Sequence, residues 1–346
     1  MNVTPSTIGF NRFKQEHLNH SGFSLKMQFA LLLTVAALTS TTAFSEEASS
    51  TATVPAAPSS VVKSPATTNP EGEDADHVIT NRKMRAESGS KSRFSLASSL
   101  EYAAGSLNKP FASERPNIRG ATATTDVARL SGNVGMKYSL NATEALRLGL
   151  GFRWITPFGD KPSWYTGSTF DADNPVFNYQ KMFRWLGGVQ TVLQVGPTLY
   201  TASNLKDNGF LANWNLALNN AYEIGKSGLS VGALTQGGWS QFNRDDANGR
   251  DLRGIQSDYY VGAYPFLEYV INDTLNVRTI SGLFVYEHLR NESGALTFMK
   301  NKVYQSIGVG VSVTRDIFLY PNIQLIPADI QANNTNLALS ANINVL

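Results

Sequence analysis

From residue 94 to residue 346, apolar residues alternate with polar or small ones. That two-residue repeat marks a strand with one apolar face. In VYQSIGVGVSV, Val303, Gln305, Ile307, Val309, Val311 and Val313 share one face; Tyr304, Ser306, Gly308, Gly310 and Ser312 share the other. In ALRLGLGFRW, Leu146, Leu148, Leu150, Phe152 and Trp154 lie opposite Arg147, Gly149, Gly151 and Arg153. The repeat predicts strands at 94–103, 126–140, 145–156, 177–186, 189–201, 210–224, 229–242, 257–270, 275–288, 303–314, 317–327 and 336–346. One long strand over 177–201 would put short and long connections out of step. A hairpin at Gly187-Gly188 restores the alternation, and a Gly-Gly pair suits a two-residue turn. The count is then twelve, an even number.

In a soluble sandwich the apolar faces pack against a second sheet. In an outer-membrane barrel they meet lipid, and the polar faces line a lumen. The connections favour the barrel. Short turns at 141–144, 187–188, 225–228, 271–274 and 315–316 alternate with longer polar loops at 104–125, 157–176, 202–209, 243–256, 289–302 and 328–335. Short periplasmic turns facing long extracellular loops are the bacterial barrel pattern. The aromatics agree. Tyr102, Trp154, Trp214, Trp239 and Tyr259 fall at the long-loop ends, and Phe94, Tyr138, Trp185, Tyr222 and Tyr269 at the short-turn ends. Two such girdles are expected where amphipathic rings meet the two membrane interfaces.

Upstream the pattern changes. The apolar run FALLLTVAAL at 29–38 is too short for a membrane-spanning helix, which takes about 20 residues. Lys14 and Lys26 precede it and TSTTAFS follows it, with Ala43 and Ser45 at the small positions before a cut at Ser45/Glu46. This is the layout of a secretory signal peptide. Met27 heads the run and offers a second start site. Residues 46–92 are rich in Pro, Ala, Ser and Thr and lack aromatics. Such a stretch buries too little apolar surface to offset its ordering entropy, so a disordered periplasmic linker is expected there. Its last part, HVITNRKMRAESGSK, has room for a helical turn or two, with Arg82, Lys83 and Arg85 facing solvent or an anionic surface. The expected division is therefore 1–45, extension and signal peptide; 46–92, linker; and 93–346, barrel.

Composition narrows the chemistry. The absence of cysteine excludes a disulfide scaffold, thiol catalysis and cysteine zinc sites. Lys plus Arg total 29 and Asp plus Glu 27, a formal charge of +2, which gives no footing for nucleic-acid binding. The signal peptide, amphipathic strands, alternating loops and final strand LALSANINVL together resemble Gram-negative outer-membrane β-barrel proteins over residues 94–346. The resemblance implies an all-β, twelve-stranded antiparallel transmembrane barrel in the bacterial outer membrane, both barrel ends periplasmic. It implies lipids, small solutes and the barrel assembly machinery as partners, and no cofactor. Such barrels often end on an aromatic residue, where this sequence has Val345-Leu346.

Twelve-stranded barrels include a phospholipase, so a hydrolase is one alternative. It needs a serine activated by an oriented histidine. His288, the histidine of the barrel region, sits in FVYEHLRNES without a serine two positions away. A loop-edge hydrogen-bonding role is expected for it, and no enzyme activity. Asp171, Asp173, Asp245, Asp246 and Asp251 could offer oxygens to calcium, but neither stretch has the twelve-residue calcium-loop spacing, and turn chemistry accounts for them; no metal site is expected. Alternation points Arg129, Lys137, Arg147, Arg153, Arg184 and Arg278 inward, together with Glu101, Glu223 and Glu268. Six cations against three acids predict an electropositive lumen, and rings of basic side chains favour anions. The expected function is a porin-like channel for small hydrophilic solutes, anionic ones among them. The alternatives are a surface-interaction or structural barrel with a plugged lumen, and a membrane-embedded hydrolase.

Overall fold

The computed structural model describes residues 75–346 apart from 119–125, 166, 186, 248, 301–302 and 346. The expected signal peptide, and the expected linker up to residue 74, lie outside the described residues. The strands are β1 (Phe94–Ser106), β2 (Arg129–Ser139), β3 (Glu144–Ile155), β4 (Phe170–Trp185), β5 (Val189–Leu199), β6 (Phe210–Glu223), β7 (Leu229–Phe242) and β8 (Ser257–Val270). They continue with β9, broken at Leu283 into Leu275–Gly282 and Phe284–Leu289, and β10, made of Met299–Lys300 and Tyr304–Ser312. The last two are β11 (Ile317–Leu325) and β12 (Asn336–Val345). Each pairs antiparallel with its sequence neighbours, and β8 spans the break in β9. β12 returns to β1, with Val345 opposite Leu96, and closes the barrel.

The distribution of faces is the reverse of a soluble protein's. Leu148, Leu150, Met136, Leu216, Val261 and Ile307 are exposed, while Gln180, Gln190, Asn276, Arg278 and Glu268 are buried. The apolar belt faces outward because its solvent is hydrocarbon, and the closed ladder leaves no strand edge whose N–H and C=O groups lipid would have to satisfy. Among the described residues no helix is long and apolar enough to cross a membrane; the strands do the crossing. The protein is thus a twelve-stranded antiparallel barrel of the outer-membrane type.

Two observations depart from the sequence pattern. β4 starts at Phe170 rather than 177. Its first residues, FDADNP, show no apolar alternation, yet Asp171 pairs with Arg153 across the strands at 3.0 Å. A register shift between Gly149 and Gly151, and Asn174 at φ 50°, bend the ribbon there.

The second departure is a correction. The expected disordered linker does not extend to residue 92. Residues 75–78 form α1 (Ala75–Val78) and residues 82–88 form α2 (Arg82–Ser88). Asn81 caps α2 by accepting from the Met84 N–H at 3.1 Å, and Gly89, at φ 88°, ends it. A helix this short is marginal in water by itself. It persists because Val78, Ile79 and Met84 pack with Met182, Val192, Ala221 and Phe266 of the barrel wall, and Ala86 packs with Phe318 and Tyr320.

Candidate functional site: the lumen and its plug

Residues 75–92 occupy the short-turn end of the barrel as a plug. Its entry turn is held by the wall: Gln190 Oε1 accepts from the N–H groups of Thr80 and Asn81 at 2.8 and 2.9 Å. The Asn81 amide donates to Glu268 at 3.1 Å. The far end of α2 is held differently. A helix leaves its last carbonyls without intrahelical partners. Here five consecutive carbonyls each accept from a wall side chain. Asn344 Nδ2 donates to Ala86 O at 2.7 Å, and an Arg147 guanidinium nitrogen donates to Glu87 O. Gln180 Nε2 donates to Ser88 O at 3.2 Å, Arg315 to Gly89 O at 3.1 Å and Lys137 Nζ to Ser90 O at 2.6 Å. The glycine at 89 is required by both space and backbone. A Cβ there would stand 2.6 Å from Lys137 Cδ and 3.2 Å from Arg147.

Ion pairs fasten the periphery. Arg315 and Lys91 both reach Asp76 at 2.9 Å, and Arg82 reaches Asp273 at 3.3 Å. Burial alone would push the Asp76 carboxyl up, but hydrogen bonds and charge from Arg315 and Lys91 outweigh it and hold Asp76 below the ordinary carboxylate value. In the interior, Glu87 pairs with Lys83 one turn back, and its other oxygen accepts from Asn219 of β6 at 2.9 Å.

Above the plug lies a cavity of about 620 Å³, lined among others by Glu87, Glu101, Asn219, Gln236, Tyr264 and Arg278. The long-loop end is narrowed by the connection from β1 to β2. Its Ile118 packs against Tyr264, Val285 and Tyr304, and Asn336 Nδ2 donates to Pro116 O at 2.6 Å. The buried Arg115 reaches Gln324 at 3.4 Å. Burial lowers the Arg115 guanidinium to about 10, against the opposing pull of Glu101.

The charges expected in the lumen are placed as follows. Arg278 and Glu268 form a fully buried pair at 2.9 Å, the guanidinium lying 3.8 Å over the Phe266 ring. Arg184 donates to Val78 O at 2.7 Å, and Glu223, exposed at the short-turn mouth, accepts from Thr80 Oγ1 at 2.6 Å. Lys137 and Arg147 hold plug carbonyls, Arg153 holds Asp171, and Arg129 and Glu101 are half-buried on β2 and β1. Arg315, in the turn after β10, and the carboxamides Gln180, Gln190 and Asn344 were not singled out by charge counting. Their signal in the sequence is the inward alternation of donors toward the short-turn end.

The aromatic residues fall into rows. Tyr102, Leu130, Trp154 and Phe170 stand in cross-strand register at the long-loop end, as do Trp214, Trp239 and Tyr259. At the short-turn end Phe94 faces Tyr138, Trp185 closes β4, and Tyr222 and Tyr269 close β6 and β8. Trp154, Trp185, Trp214, Tyr222, Trp239 and Tyr269 are exposed.

His288 is buried, stacked on Tyr259 at 4.5 Å, with Nδ1 2.7 Å from Asp258 and Nε2 3.1 Å from the Gly294 carbonyl. Both ring nitrogens are engaged in fastening the loop. Asp245 and Asp251 are paired with Arg290 and Arg253, and among the described residues no group of three or more carboxylates or histidines gathers.

No protein-family model matches the sequence, and no curated protein matches it. Solved structures do match. The NanC porin aligns at 10% identity and a TM-score of 0.41, covering 72% of this chain and 100% of its own. An outer-membrane channel from Pseudomonas putida aligns at 12% identity and a TM-score of 0.45, covering 74% and 97%. The outer membrane phospholipase A from Escherichia coli aligns at 9% and 0.35, covering 79% and 98%.

Proposed function

We propose that this barrel is an outer-membrane channel for small hydrophilic solutes, held shut at its periplasmic mouth by its own residues 75–92. The observation that carries the reading is the enclosed lumen: a closed barrel surrounds a cavity of about 620 Å³ whose lining mixes polar groups such as Glu101, Asn219, Gln236 and Arg147 with apolar ones such as Leu234, Phe266 and Ile280. Passage would follow size and the field of the lining groups. The plug supports a second reading, a barrel closed for good whose loops do the work. Planar-bilayer recording separates the two. The channel reading expects small or infrequent conductance steps from the full chain and large, sustained steps from a variant lacking residues 75–89. A correctly folded deletion variant without steps would leave the permanently closed barrel. The expected preference for anions belongs to this reading too. Charge reversal at Arg147 and Arg153 should move the reversal potential toward cation preference, and an unchanged potential would remove it.

A further inference from the structure

The wall that holds the plug is built from like charges. Lys137 and Arg147 stand directly opposite each other on β2 and β3. Like charges in that position destabilise a sheet unless something between them compensates. Arg315 joins them through its bond to Gly89 O, and its acidic partners, Asp76 and Asp316, include one from the plug itself. What lies between the three cations is the end of α2. Its carbonyls at 87, 89 and 90 point at Arg147, Arg315 and Lys137 in turn. A helix C-terminus carries a partial negative charge on those carbonyls, so it serves as an uncharged stand-in for an anion. The stand-in is imperfect. Among the described residues the buried Nε atoms of Arg147 and Arg278 have no hydrogen-bond partner, although both residues line the cavity. The plug brings little acid to correct this: across residues 75–92 it carries Asp76 and Glu87 against Arg82, Lys83, Arg85 and Lys91.

We infer that Lys137, Arg147 and Arg315, with Gln180 and Asn344, form a binding site for a small carboxylated solute, now occupied by the helix end. A solute carboxylate entering from the cavity would meet Arg147 first, the member of the set that lines it, and by taking the donors one after another from the plug carbonyls would release the plug. The inference deepens the channel reading and rests on it for its biological sense, by naming the solute class and tying opening to that solute. It requires no conduction to be tested.

The test is trypsin cleavage of the full folded chain in detergent. Arg82, Lys83 and Arg85 are protected while the plug is docked and become sites when it leaves. Sodium succinate at about ten times its dissociation constant should speed cleavage there by about tenfold, because it competes with the plug for the same donors. Sucrose at equal osmolarity and sodium chloride at equal ionic strength should not. Arg147→Gln and Lys137→Gln should each raise the basal cleavage rate and blunt the succinate response. Heat-dependent gel mobility identifies whichever of the two variants is folded. No acceleration by succinate overturns the site. Equal acceleration by chloride reduces it to charge screening, and acceleration by inorganic phosphate alone overturns the carboxylate class. A full response in both folded variants overturns the residue assignment. If succinate releases the plug but bilayers stay silent, the channel reading fails while the site stands.

Discussion

Two segments enter the lumen from opposite ends, and they are held by different means. The loop between β1 and β2 places one apolar side chain, Ile118, among Tyr264, Val285 and Tyr304, and adds a few hydrogen bonds. The plug uses an apolar cluster around Ile79 and Met84, five carbonyl contacts at its far end and several ion pairs. The loop is fixed to the barrel at both of its ends, so its ordering entropy is largely met by the strands that carry it. The plug joins the barrel on one side only, through residues 90–93, and ordering each of its residues costs roughly 1–2 kcal/mol. More contacts are needed to hold it. The richer interface thus belongs to the segment that costs more to order.

The largest effect is expected at Glu268, which serves the plug through Asn81 and the wall through Arg278. Glu268→Gln leaves a buried guanidinium without its counter-charge, a loss of about 3–5 kcal/mol. Hydrogen exchange should rise over residues 79–88 and over β9, with little change at Arg115–Ile118; exchange rising only in the loop would contradict the arrangement. Next come the two apolar anchors. Met84→Ala and Ile118→Ala each remove a fully buried side chain, at about 2–5 kcal/mol. The first should expose the plug to trypsin and leave the loop protected, and the second should do the reverse. If both variants loosen both segments, the two inserts are coupled rather than independent.

A smaller effect is expected at Gly89, where Ala meets a backbone of positive φ and extended ψ that only glycine adopts readily, at roughly 1–3 kcal/mol, and crowds Lys137. Plug cleavage should rise several-fold while barrel melting stays put. The smallest effect is that of pH. Because Arg315 and Lys91 hold Asp76 below its ordinary value, its contribution is complete above the unfolded carboxylate value of about 3.9. It is lost as pH falls through the depressed folded value. Plug protection by hydrogen exchange should therefore decline only below about pH 4, and Asp76→Asn should flatten that decline. The loop, whose Arg115 stays charged at acid pH even when lowered to about 10, should show no such step.

Much of the barrel was legible because the two-residue period is local. Each strand states its own lipid face, and Gly187-Gly188 states the turn that sets the count. β4 escaped in part because FDADNP is held by Arg153 across the strands rather than by its own pattern. The plug was far less legible. Asn81 and Gly89 bracket a seven-residue helix in the sequence, but a segment that short gains its structure from Met182, Phe266 and Phe318, residues more than ninety positions away. The inward direction of Lys137, Arg147, Arg184 and Arg278 followed from alternation. Their engagement with main-chain carbonyls did not, since a carbonyl acceptor leaves no mark in residue identity.

The seam where β12 meets β1 joins the two termini of the barrel, with Leu96 paired to Val345. Pairings between such distant parts of a chain form late, because loop closure must precede them. Asn344 lies on that seam strand and holds the carbonyl of Ala86, and Arg315 lies in the turn leading to its neighbour β11. The plug therefore cannot complete its docking until the last strand is in place. The full set of plug contacts is open only to a closed barrel, which makes a docked α2 a marker of the finished molecule.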